Sequence, residues 1–178
     1  MPLLVVRYML RKKLGIEAIE RVRFLENYFK IPSTLIIPKG VKGIRESTFY
    51  GCEKLKKVEI PESVKNIGGS AFQGCKNLRE VIIPRSVKSI RWYAFEGCIK
   101  LKRVVILEGV KEISMNTFAN CLNLEEVVIP ESVERIGSYA FEDCKSATII
   151  LQKPRNKFEY FGTCAFRGCK DVKEKTGD

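Results

Sequence analysis

The sequence predicts an α/β solenoid, with one stacked sheet on one side and short helical or 3-10 turns on the opposite wall. Three columns of identical residues, each stepping by 23, carry that prediction. Cys52, Cys75, Cys98, Cys121 and Cys144 form one column, and Phe49, Phe72, Phe95, Phe118 and Phe141 a second. Ile44, Ile67, Ile90, Ile113 and Ile136 form the third. A fixed period of this size marks a coil whose repeats each contact only their neighbours. A single repeat has too few inward apolar side chains to offset the ordering of its backbone, so stacking is obligatory.

One unit runs from Gly74 to Glu96. Its stretch Leu78-x-x-Val81-x-Ile83 alternates apolar and variable positions, the pattern of a half-buried strand. Pro84 closes the strand, because proline has no N–H for the ladder. Val87 and Ile90 turn inward again on a second short extended segment. Ala94, Phe95 and Cys98 have the spacing of a helical or 3-10 turn. Ser47, Ser70, Asn116 and Ser138 precede that turn, where a side-chain oxygen caps free N–H groups. The residue before each cysteine is Gly51, Gly74, Gly97, Asn120, Asp143 or, in the last unit, Gly168. These types tolerate a positive φ, so a left-handed C-terminal cap explains the column.

The pattern L-x-x-V-x-I-P-x-x-V-x-x-I-x-x-x-A-F-x-G-C resembles the Treponema-type, or BspA-like, leucine-rich repeats. Leu78 to Cys98 carries every fixed element, and the match recurs from Thr34 to Cys169. Leu107 stands in the proline slot, Thr48 and Thr117 replace the alanine before phenylalanine, and the last unit is irregular. The resemblance implies a right-handed leucine-rich-repeat coil used for protein binding and adhesion. It supplies no catalytic residues.

Three segments follow: an N-terminal cap over 1–31, a solenoid of about six coils over 32–170, and a polar, frayed tail over 171–178. The cap reads as a helix over Ile16 to Tyr28 or as a pair of strands, the latter favoured by Leu3 to Tyr8. Leu3 to Val6 is too short for a signal-peptide core, and no run approaches a membrane span. In the sixth coil Ala147 takes the leucine slot and Pro154 arrives late. Cys169 comes 25 residues after Cys144, so Arg155 to Thr163 bulges and this coil reads as a terminal cap.

The net charge of +11 is uneven: residues 1–31 carry seven Lys/Arg against three Asp/Glu, and 145–178 carry eight against four. Between them, 17 stand against 14. The ends are basic and the repeats nearly balanced. The five cysteines of the column read as small buried apolar side chains, with Cys164 the exposed exception. The chain has no histidine, no CxxC pair and no phosphate-binding glycine loop, which argues against a zinc site, a His-dependent hydrolase or a nucleotide-binding enzyme. No metal and no cofactor is expected. Reduced thiols and the lack of a signal sequence favour the cytoplasm, while the family resemblance favours the cell surface.

On each strand the variable residues point outward. One row reads Ile36, Glu59, Ile82, Val105, Val128, with four of five apolar where water is expected. The next row, Thr34, Lys57, Glu80, Arg103, Glu126, alternates in sign and reads as a cross-strand ion ladder. A third column reads Lys42, Lys65, Lys88, Lys111, then Glu134. Trp92 and Tyr93 replace small residues of the sibling coils, as anchors for a partner or as cover for the turn. The expected function is a non-enzymatic protein–protein interaction module. Its candidate partner-binding residues are Ile36, Ile82, Val105, Val128, Trp92, Tyr93, Lys65, Lys88 and Lys111. The alternatives are a basic nucleic-acid-binding protein or a fragment of a surface adhesin. Against the former, aromatics do not interleave with the basic residues.

Overall fold

A computed structural model describes residues 33–175, so the cap expected over 1–31 lies outside the described residues. The chain winds through β1 (Thr34–Ile36), β2 (Gly43–Ile44), β3 (Lys57–Glu59), β4 (Asn66–Ile67), β5 (Glu80–Ile83), β6 (Ser89–Ile90) and β7 (Arg103–Ile106). It continues through β8 (Glu112–Ile113), β9 (Glu126–Ile129), β10 (Arg135–Ile136), β11 (Thr148–Leu151), β12 (Tyr160–Phe161) and β13 (Asp171–Glu174). The odd-numbered strands form one seven-stranded parallel sheet and the even-numbered strands a six-stranded one. The register steps by whole repeats, pairing Leu35 with Val58, Val58 with Val81 and Val81 with Val104. The fold is a β-solenoid of about six turns.

That architecture corrects the α/β expectation in two respects. The Val-x-x-Ile segments make a second sheet, and the remaining wall is built of tight turns rather than helices. Ser47, Ser70, Tyr93, Asn116, Tyr139 and Cys164 enter each turn with φ of 53–59°. Those backbone angles stop a helix before it can start, so the column is conformational rather than a set of helix caps. Ser138 is not a member; its neighbour Tyr139 is. N–H groups then point alternately within the turn and along the solenoid. Gln73 donates to Ser70 three residues back, while Phe72 and Gly74 donate to Ala94 and Glu96 of the next coil. The expected positive φ before each cysteine is present at Gly51, Gly74, Gly97, Asn120, Asp143 and Gly168.

The core is a set of columns. Phe49, Phe72, Phe95, Phe118 and Phe141 stack with ring centroids 5.0–5.3 Å apart and near-parallel planes. The threonines in the alanine slot are fully buried and still satisfied: Thr48 Oγ1 donates to Arg45 O and Thr117 Oγ1 to Ser114 O, at 2.8 and 2.7 Å. Each hydroxyl thereby returns its hydrogen bond to the turn that holds it.

The proline column decides whether a main-sheet ladder can make its last hydrogen bond. Leu107, Gln152 and Lys175 occupy the proline position of their coils and donate N–H to Ile83, Ile129 and Leu151 at 3.1, 3.1 and 2.9 Å. The three ladders they close, β5–β7, β9–β11 and β11–β13, each run four residue pairs. Where the position holds Pro61, Pro84 or Pro130, no N–H exists to close the ladder. That leaves three pairs in β1–β3, while β3–β5 and β7–β9, with two and one, part earlier than the missing N–H alone requires.

The last coil departs from the repeat. Thr148 pairs with Glu126, a step of 22, and Tyr160 pairs with Arg135, a step of 25. The extra residues form a 3-10 turn at Arg155–Lys157 and bury Phe158, which meets Phe161 edge-on. The segment after Lys170 does not fray at its start: Asp171–Glu174 is β13, hydrogen-bonded to β11. Glu174 stands in the column of Ile129 and Leu151, where every earlier coil is apolar. Arg155 grips it through an ion pair at 2.5 Å and lies over the Phe161 ring at 5.3 Å. A charge pointed along the core column is a recognised way to discourage further strand pairing at a sheet edge.

Candidate interaction surface

The outward row of the seven-stranded sheet is exposed as its alternation requires. Ile36, Ile82 and Val128 are 40%, 48% and 38% exposed, and Val105 between them is half-buried. Ile82 lies directly beside Val105 in the register. The row is longer than the repeat suggests, because the one-residue shortening of the sixth coil brings Ile150 beside Val128. A search for a strict 23-residue step misses it. Glu59 interrupts the row near one end and Lys173 ends it at the other.

Beside the row the expected ion ladder forms in part. Arg103 reaches Glu80 across strands at 3.7 Å, while Lys57 turns to Glu59 on its own strand at 3.2 Å. These pairs are solvated and contribute under about 1 kcal/mol each. The lysine column is less free than its sequence implies. Lys111 is ion-paired to Glu134, and Lys88 Nζ donates to Gly109 O at 3.3 Å. Lys65 is exposed on the same edge. Trp92 and Tyr93 divide between the two readings given above. The Trp92 ring lies on the backbone of Gly69 in the preceding coil, where an added Cβ would come within 2.5 Å of its Nε1. It covers the turn while leaving 39% of its surface exposed, with Arg91 over its ring at 5.9 Å. Tyr93 holds a positive-φ turn position.

Two grooves of about 370 and 360 Å³ open on the main-sheet face. One is lined by β7 and β9, the other by β3 and β5 with Leu107 at its margin. They lie where the proline-bearing ladders are shortest, which no column of the sequence by itself announces.

The cysteine column is not a reactive site. Cys75, Cys98, Cys121, Cys144 and Cys169 each donate S–H to a phenylalanine carbonyl of the preceding coil, at 3.1–3.3 Å. Cys169 thus extends the predicted five to six. Burial pushes the Cys98 and Cys121 thiols up, the contact with Cys121 raises Cys144, and the contact with Cys144 raises Cys169. None of the seven cysteines is in a disulfide. Among the described residues no cluster of His, Cys, Asp or Glu could hold a metal ion, and no helix is long and apolar enough to cross a membrane.

The family model described as the BspA-type leucine-rich repeat region matches residues 18–148 in six copies. The chain belongs to this family. Among solved structures it is similar to a T. pallidum leucine-rich repeat protein, with a TM-score of 0.70 and 30% identity over 80% of this chain and 69% of that one. The pneumococcal vaccine antigen PcpA is also 30% identical, over 68% of this chain and 30% of its own, with a TM-score of 0.57. A leucine-rich repeat protein from Eubacterium ventriosum, 24% identical, shares the fold at a TM-score of 0.67 over 83% of this chain and 45% of its own. The BspA-type coil therefore spans about two thirds of the first of these proteins and under half of the other two. No curated protein matches the chain.

Proposed function

We propose that this BspA-type solenoid is a non-enzymatic protein-binding module that engages its partner through the outward face of the seven-stranded sheet. One observation carries the reading: Ile82 beside Val105 and Val128 beside Ile150 give four successive strands an outward apolar residue, at positions whose alternation directs them to water. Scattered exposed apolar residues are ordinary; apolar residues aligned strand after strand on one sheet face are what a partner buries. Ile36 extends the row beyond Glu59, and Trp92 with Tyr93 supplies an aromatic edge on another wall. The basic column weighs less, because Lys111 and Lys88 already have partners while Lys65 does not among the described residues. Reduced cysteines fit a cytoplasmic setting, which is part of the same reading.

The test compares the protein with Ile82→Lys and Val105→Lys combined. Both side chains leave the core, so the melting temperature should hold within a few degrees. Captured partners should fall away, because the variant places lysine charge at the centre of the contact. Equal capture by both forms overturns the reading. A matched variant, Lys65→Glu with Lys88→Glu, tests nucleic-acid binding, whose affinity would collapse with these charges and with added salt.

A further inference from the structure

We infer that the ridge between the turn wall and the seven-stranded sheet binds the surface of an anionic lipid bilayer. This is a second surface, separate from the sheet face proposed above. Between each buried cysteine and the next buried residue of the leucine column, the chain makes a two-residue turn. These turns lie at 53–54, 76–77, 99–100, 122–123 and 145–146. Coil upon coil they stack into a ridge four strand spacings long, about 20 Å. Asn77 Nδ2 donates to Glu53 O at 2.7 Å and Asn123 Nδ2 to Ile99 O at 2.6 Å, which ties successive turns together.

Charge on the ridge is one-sided. Its first column reads Glu53, Lys76, Ile99, Leu122, Lys145 and its second Lys54, Asn77, Lys100, Asn123, Ser146. Lys56, Arg79, Lys102 and Glu125 follow on the sheet side. Seven exposed cations thus stand against two carboxylates, and both carboxylates are already held: Glu53 by Lys76 at 2.8 Å and Glu125 by Lys102 at 3.5 Å. Lys54, Lys56, Arg79, Lys100 and Lys145 have no ion pair among the described residues. The flanks do not reverse the sign. On one side Lys57, Glu80, Arg103 and Glu126 cancel. On the other Glu96, Glu142 and Asp143 are half-buried, the first two engaged by Gln73 and Arg167.

Ile99 and Leu122 sit midway along the ridge in adjacent coils, with Leu122 39% exposed. An apolar pair set among lysines on a projecting edge suits a plane of headgroups. The lysines meet lipid phosphates and carboxylates, and the pair reaches the acyl boundary. A nucleic acid would meet the same lysines but leave the pair against phosphates, with no aromatic ring in the three columns to stack a base. A peptide segment is held in a groove or along a strand edge, and the ridge is neither.

Cosedimentation with vesicles of phosphatidylserine and phosphatidylcholine in equal parts tests this. The chain should bind them in a salt-sensitive manner and ignore vesicles of phosphatidylcholine alone. Lys54→Glu with Lys100→Glu should weaken binding about 25-fold or more, at roughly fivefold for each lysine removed. Lys65→Glu with Lys88→Glu changes the net charge equally on another wall and should weaken binding about fivefold at most. Leu122→Gln should weaken it about fivefold with the salt dependence unchanged. All these side chains are exposed, so melting temperatures should hold. Equal losses from the two charge-reversing pairs, full affinity in Leu122→Gln, no binding to the mixed vesicles, or tighter binding of an oligo-dT probe overturns the inference. Ile82→Lys with Val105→Lys leaves the ridge intact, so its effect on partner capture judges the sheet face separately.

Discussion

An interior coil and the last coil solve the same problem by different means. In the coil around Phe95 every inward side chain is fully buried, and each neighbour repeats its columns. In the last coil Phe166 tilts 38° from Phe141 and is only partly buried, as is Cys169, because no further coil stacks on them among the described residues. Repetition seals the interior. The end is sealed by unrepeated residues: buried Phe158 on its 3-10 turn, and the Arg155 bridge that joins Glu174 to the face of Phe161. Interior stability is therefore shared, and terminal stability rests on a few local contacts.

The largest test of that contrast is truncation of equivalent rings. Phe95→Ala should cost about 3–5 kcal/mol in denaturant melts, since it opens a hole in the middle of the stack. Phe166→Ala should cost roughly half as much, because part of its surface is already wet. Equal losses would mean that the stack does not distinguish its middle from its end.

Next in size is the thiol column. Cys98→Ala removes a buried S–H···O bond to Phe72 and should cost about 1–2 kcal/mol. Folding raises these thiols above their unfolded value. Their contribution is thus complete below about pH 8.5, the unfolded thiol pKa, and is lost as the pH climbs above it. The melting temperature should be level from pH 6 to 8 and fall beyond pH 9 (about the onset of thiol ionisation in the unfolded chain). A bulky thiol reagent on the native protein should find Cys164 first and Cys169 second, with the fully buried thiols silent until denaturation. Labelling of Cys98 ahead of Cys164 would contradict the burial gradient.

The smallest effect should come from the clasp. Arg155→Ala should cost under about 1 kcal/mol, as the pair is partly solvated. Glu174→Leu should leave stability almost unchanged yet promote association of copies in light scattering, because it removes the charge that guards the edge strand. A strictly monomeric Glu174→Leu protein would show that the guard lies elsewhere.

The sequence by itself determined whatever repeats. The 23-residue step, the inward columns of Leu, Val, Ile, Phe and Cys, the positive φ before each cysteine and the family all followed from it, because equivalent residues in a stack meet equivalent neighbours. It also exposed the outward apolar row, since a strand alternates its faces whatever packs beside it. Tertiary structure alone decided what depends on the relation between coils. It made the turn wall non-helical by sending alternate N–H groups to the next coil, and it moved Ile150 into the apolar row by shortening one repeat. It also turned Leu107, legible only as a departure, into a ladder of four pairs beside grooves at its proline-bearing neighbours. A hydrogen bond between two coils needs a donor on one and an acceptor on the other, and only the register that brings them together says whether both are present.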